Sequence, residues 1–116
     1  MDTATLQSDL KKWLAYNFPN ATSDQQLKGV VEELGELCHA DLKSEQGIRG
    51  YNNKEKTMHK MKDAIGDLVI FLINYCNVKE ISFTECLNLA YFEIKKRDWI
   101  KNPDGNKINS KTKVEG

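Results

Sequence analysis

The sequence predicts an all-α protein. Apolar residues recur at helical spacing along most of the chain, no stretch alternates with a period of two, and Pro, Gly and Asn divide it into four helical segments. Its 116 residues amount to one domain, and 40% hydrophobic with 29% charged residues is a soluble balance that can form a core. A chain this short buries a modest share of its surface alone, so association would help it.

The first helix is expected over residues 5–16, where Leu6, Leu10, Trp13 and Leu14 make one apolar face. Pro19 disfavours helical geometry at Phe18 and ends it. A second helix starts near Ser23 or Asp24, either able to cap it, and runs to about residue 44. Leu27, Val30, Val31, Leu34, Leu37, Cys38 and Leu42 form its apolar stripe. Residues 45–53, rich in Gly and Asn, are the clearest loop and a candidate substrate-covering element.

A third helix is expected over residues 54–78. Its second half is apolar nearly all round, and residues 68–73 cannot all face one intramolecular core, so this surface is assigned to a subunit interface. The fourth helix opens on the capping box Ser82-Phe83-Thr84-Glu85, with Ile81 placed to staple the first turn, and is expected to reach residue 98. Lys95, Lys96 and Arg97 would then fill its last turn, at the negative end of the helix dipole. Beyond Trp99 the chain turns polar. The expected organisation is therefore a folded domain over residues 1–99 and a loose tail over residues 100–116.

Seventeen basic and seventeen acidic residues give no net charge, which argues against a nucleic-acid polymer or an anionic membrane as partner. The longest apolar run, residues 68–73, is too short to span a bilayer, and residues 1–5 lack the pattern of a signal peptide. A cytoplasmic protein is expected. Cys38, Cys76 and Cys86 form no CxxC pair and sit among apolar residues, which predicts buried free thiols in a reducing compartment.

The chemistry lies in two acidic clusters. Glu32, Glu33 and Glu36 fall within a narrow arc of the second helix at about 100° per residue. Asp63 and Asp67 stand one above the other on the third. Both clusters lie flush with apolar stripes. Facing one another, these carboxylates would need a counter-charge, and an all-oxygen donor set suits Mg²⁺ or Mn²⁺. Gly35 and Gly66 each precede a cluster acid, and glycine costs about 1 kcal/mol against alanine inside a helix. They point either to close helix approach or to room for a ligand.

This pattern resembles the MazG-like all-α pyrophosphohydrolases, which carry a Glu-x-x-Glu pair on one helix and a Glu-x-x-Asp pair on the next. Glu32-Glu33-Leu34-Gly35-Glu36 matches the first half, and Gly66-Asp67 falls in the second; the resemblance covers residues 25–99. Ala64 stands where the family's second-helix glutamate is usual. Asp63, one residue earlier, is similar to the Asp-Ala-x-Gly-Asp arrangement of phage-type members. Among these are the MazZ proteins, which act on guanine nucleotides.

The resemblance implies a four-helix bundle completed by oligomerisation as a dimer or tetramer. It implies hydrolysis of a ribo- or deoxyribonucleoside triphosphate, with dGTP or GTP in view, to the monophosphate and pyrophosphate. Two or three Mg²⁺ (or Mn²⁺) ions would be held by Glu33, Glu36, Asp63 and Asp67, with Glu32 a further ligand or the base that activates water together with Glu33. Lys95, Lys96 and Arg97 would either reach the phosphates or remain solvated helix-end charges. Lys28 is a weaker phosphate candidate, and an ion pair with Glu32 is its alternative. For the base, Trp13, Asn17, Phe18 and Asn74 come into question; Asn74, two turns beyond Asp67, either reads a base edge or satisfies a neighbouring helix.

Two rivals remain at this level. Glu36-Leu37-Cys38-His39 has the Glu-x-x-His spacing of ferritin-like di-iron bundles, but the third helix lacks the matching half. A non-enzymatic helical oligomerisation module would explain the apolar third helix and leave both acidic clusters unexplained.

Overall fold

The computed structural model describes residues 1–105, folded as α1 (Thr3–Asn17), α2 (Ser23–Gln46), α3 (Lys54–Lys79) and α4 (Phe83–Ile94), with no strand among the described residues. The all-α class is the one the sequence predicts. Of the expected tail, residues 106–116 lie outside the described residues. No helix among the described residues is long and apolar enough to cross a membrane.

The starts of α1, α2 and α3 are each fixed by a side chain that satisfies an otherwise orphaned N–H. Asp2 caps α1, accepting from the Thr5 N–H at 2.7 Å and the Thr5 hydroxyl at 3.0 Å, so the helix begins two residues earlier than expected. Thr22, not Ser23 or Asp24, caps α2. Its hydroxyl accepts from the Gln25 N–H at 3.2 Å, and Gln25 Oε1 accepts the Thr22 N–H at 3.1 Å. Both Thr22 and Ser23 have a glutamine three residues on; the register adopted spends Gln25 on the cap and leaves Gln26 to be buried. Asn53 caps α3 by accepting from the Lys56 N–H at 3.2 Å.

α2 ends at Gly47, whose φ of 66° places it in the left-handed region while its N–H donates to Lys43 O at 2.8 Å. The short connection over residues 47–53 makes α2 and α3 an antiparallel hairpin, the most extensive helix pairing in the molecule. The register follows from individual contacts. Gly29 lies against the Phe71 ring so closely that a Cβ there would overlap it. Ten residues further along α2, His39 meets the same Tyr51 ring as Lys60 of α3. Small buried residues, Gly29 and Ala40 on α2 and Ala64 on α3, permit the approach.

α1 packs on α3 and is fastened by Gln7. Its Nε2 donates to Ile81 O at 2.8 Å, its Oε1 accepts from the Phe83 N–H at 2.9 Å, and its own carbonyl accepts from Asn77 Nδ2 at 3.1 Å. The buried apolar core is small, comprising Leu14, Ala40, Ala64, Ile73 and Cys76. Within residues 68–73 only Ile73 is fully buried; Leu68, Val69, Phe71 and Leu72 are half-buried. Cys38 and Cys86 are exposed free thiols, contrary to the expectation of burial, and only Cys76 is buried. Cys38 shares the stripe of Leu34 and Leu42, which a single chain leaves open to solvent.

The chain falls into two compact units, Met1–Phe83 and a second that begins at Thr84. In the second, α4 stops at Ile94 and not at residue 98. The Lys96 and Arg97 N–H groups turn to carbonyls three residues back, at 3.2 and 3.0 Å. Asp98 opens a separate turn, its Oδ1 accepting from the Ile100 and Lys101 N–H groups at 3.1 and 3.0 Å. An aspartate side chain offers the backbone a local alternative to the helix. Lys95, Lys96 and Arg97 therefore follow α4 and do not form its last turn.

Candidate active site

Helix geometry alone brings Glu32, Glu33 and Glu36 together: one carboxylate oxygen from each lies within 4.8 Å of the others. Glu32 and Glu36 are exposed, whereas Glu33 points inward and is only 8% exposed. Glu33 Oε2 is buried without a hydrogen-bond partner. Burial, then a hydrogen bond shared with Glu36, then the charges of Glu36, Asp67 and Glu32 push the Glu33 carboxyl up to about 7. Burial raises Asp67 as well, followed by the charges of Asp63 and Glu36.

The facing helices thus place these acids in one electrostatic field, as the sequence led us to expect. Asp63 is exposed and contributes through its charge on Asp67; it is not part of the tight glutamate group. A buried carboxylate oxygen with no donor, among other carboxylates, calls for a proton or a cation. The donors are all oxygen, which fits a hard divalent ion such as Mg²⁺ or Mn²⁺.

Glu33 and Asp67 also border a cleft of about 700 Å³, in the size range of small-molecule sites. Leu10, Trp13, Leu14 and Phe18 form one wall, and Ile70 and Phe71 of α3 another. The Trp13 and Phe18 rings stand 5.9 Å apart and tilted by 59°. Three amides line the same space: Gln25, Gln26 and Asn74. Gln26 and Asn74 are 5% and 2% exposed, and Asn74 Oδ1 accepts from Asn77 Nδ2 at 3.2 Å. A planar ligand with polar edges and a charged end matches this combination of aromatic walls, amides and carboxylates.

Asn17 and Lys28 lie outside the cleft lining, and Lys95 and Lys96 belong to the second unit. Asn17 is exposed and donates to Trp13 O at 2.9 Å, ending α1 without bordering the cleft. Lys28 pairs with Asp24 at 2.9 Å, not with Glu32, and is exposed away from the cleft lining. Lys96 pairs with Glu93 at 3.7 Å and covers the Phe92 ring, while Lys95 lies over Tyr91 and Phe92. The His39 and Tyr51 rings meet in a T-shaped pair and His39 does not join the glutamates, so the Glu-x-x-His spacing assembles no mixed ligand set among the described residues.

A Cβ on Gly35 or Gly66 would meet nothing within 4 Å, so both leave open room; the close helix approach is at Gly29, which sequence reasoning passed over. Gln25, Gln26 and Phe71 were missed too. Gln26 did carry a signal, since it sits two turns before Glu33 on the same line of α2. Comparison with protein-family models, with curated proteins and with solved structures finds no match to this chain.

Proposed function

We propose that this chain is a metal-dependent nucleoside triphosphate pyrophosphohydrolase of the MazG-like kind. The observation that carries the reading is the placement of Glu33 and Asp67, carboxylates from antiparallel helices, on the border of one cleft walled by aromatic rings and buried amides. The base enters between Trp13 and Phe18 and the α3 wall, where Gln26 and Asn74 face its polar edge. The phosphates then run along the carboxylate row. Guanine nucleotides head the substrates to be tried, because the acidic pattern resembles that of phage-type members.

A divalent cation held by Glu32, Glu33, Glu36 and Asp67, with Asp63 close by, would supply charge neutralisation for the carboxylates and the triphosphate together. Glu33, at the border of the cleft, is the first candidate base. It takes the proton from the attacking water, with Glu32 beside it as the second candidate base. The water oxygen bonds to phosphorus, the anhydride bond between the α and β phosphates breaks, and its electron pair leaves with pyrophosphate. The aromatic walls hold the base and so position the α phosphate.

The open apolar surface of the chain, with Val31, Leu34 and Ile65 between 49% and 69% exposed, supports a dimer or tetramer as the working form. The test of the function is a panel of ribo- and deoxyribonucleoside triphosphates with Mg²⁺ or Mn²⁺, followed by pyrophosphate release. Turnover that a chelator abolishes is expected for at least one nucleotide. No turnover across the whole panel refutes the reading.

A further inference from the structure

We propose that Asn77 is a positioning residue: it holds the Asn74 amide so that its NH2 group is presented to the cleft, and the site therefore takes bases with a carbonyl at that edge over bases with an amino group. This rests on the reading above, which puts the base in the aromatic cleft. Asn77 does not border that cleft; it is half-buried and lines a separate hollow with Gln7, Lys11 and Glu80. On α3 it stands three residues after Asn74, on the same side of the helix.

The polarity follows from one fixed point. Asn77 Nδ2 donates to the backbone carbonyl of Gln7 at 3.1 Å. A carbonyl only accepts, so the prong of Asn77 that faces α1 is its nitrogen. The same nitrogen donates to Asn74 Oδ1 at 3.2 Å. The reverse setting of Asn74 would put two donors against each other. With its oxygen turned to Asn77, Asn74 keeps its N–H donors for the cleft, which it borders while only 2% exposed. Gln25 has the same bias from an independent bond: its Oε1 accepts the Thr22 N–H at 3.1 Å, which leaves its NH2 for a ligand in the cleft it also lines.

Donors held in this way discriminate because of what surrounds them. The Leu10, Trp13, Leu14, Phe18 and Ile70 side chains offer no acceptor, so a ligand that brings one gains a bond these walls cannot supply. A base carbonyl does so. An amino group in the same place sets donor against donor and leaves both unpaired, which is how a polar site rejects a near-isostere. Hypoxanthine and adenine differ in this way at one exocyclic group on a shared ring frame, as do uracil and cytosine. Exchanging the donor at residue 77 for an acceptor should turn the Asn74 amide round and reverse the choice.

The test is calorimetric binding of two pairs of nucleoside monophosphates, inosine against adenosine and uridine against cytidine, in ribo and deoxyribo forms. The full chain is compared with Asn77→Asp, Asn77→Ala and Gln7→Ala. The full chain should bind the carbonyl member at least about tenfold more tightly in one pair or both. Asn77→Asp should remove that preference or invert it, and Asn77→Ala should reduce it to within about threefold; Asn77→Ala decides alone where Asn77→Asp does not fold. Gln7→Ala loses the side-chain bonds to Ile81 and Phe83 but keeps the carbonyl that orients Asn77, so it should melt earlier with the preference within about twofold of the parent. A parent chain without the preference, an unchanged preference in folded Asn77→Asp or Asn77→Ala, or an equal loss in Gln7→Ala overturns the assignment. A preference that the Asn77 variants remove, in a chain that hydrolyses no triphosphate, would uphold the assignment and sink the hydrolase reading instead.

Discussion

Glu33 carries the most constrained charge among the described residues. Its carboxyl is raised from an ordinary 4.5 to about 7, so the folded chain holds that proton more tightly than the unfolded chain does. The resulting stability is full below the unfolded value and is lost as pH rises through the folded one. Metal-free protein should therefore melt lower at about pH 8 than at about pH 5, and Glu33→Gln should flatten that slope. Saturating Mg²⁺ should raise the melting temperature more at the higher pH, because the cation replaces the proton. A metal-free melting temperature that does not fall between those two pH values would contradict this assignment of Glu33. For catalysis, Glu33→Gln should lower kcat by at least about a hundredfold.

Asp63 is the acid about which the structure is least generous, exposed and outside the glutamate group. If it has taken over from the glutamate that Ala64 replaces, Asp63→Asn should nearly abolish turnover and weaken Mg²⁺ binding, as Asp67→Asn and Glu36→Gln should. An amide keeps an oxygen donor but loses the charge that holds a hard cation. Near-normal kcat in Asp63→Asn beside an inactive Asp67→Asn would remove Asp63 from the ligand set.

At the scale of the helix, what could be read from the sequence was whatever depends on one helix at a time. The arcs of Glu32, Glu33 and Glu36 and of Asp63 and Asp67 follow from 3.6-residue periodicity; the three glutamates do come together, and Asp67 feels the charges of Asp63 and Glu36. Gly29 could not be found that way, because its role depends on Phe71 of another helix and on a register that only tertiary packing sets. The early end of α4 was hidden for a similar reason: Asp98 competes for backbone N–H groups only once the chain has turned. Gly29→Ala tests the register. Forcing the Phe71 ring aside should cost about 1–3 kcal/mol, against roughly 1 kcal/mol regained from helix propensity. Urea denaturation should show a net loss, whereas Gly35→Ala, which meets no atom in the protomer, should be neutral or stabilising. Equal behaviour of the two variants would contradict the packing described.

For the molecule as a whole, the balance of apolar surface points outward. Among the described residues five small or medium apolar residues are buried, while Val31, Leu34, Leu42, Met58 and Ile65 on α2 and α3 remain about half exposed or more. Association is the economical way to cover them. Light scattering at micromolar concentration should give a mass at least twice the 13.3 kDa of one chain. A stable monomer would contradict the assembly. The all-α class was legible because periodicity determines it; the identity of whatever covers α2 and α3 was not, since exposure within one chain does not specify a partner.

The central claim is the bond that is cleaved, and phosphorus NMR of the reaction reads it directly. The protein is incubated with Mg²⁺ and the best substrate from the nucleotide panel, and the products are followed without coupling enzymes. The account predicts nucleoside monophosphate and pyrophosphate appearing in equal amounts from the first turnover, with no diphosphate intermediate. Nucleoside diphosphate and orthophosphate would contradict it.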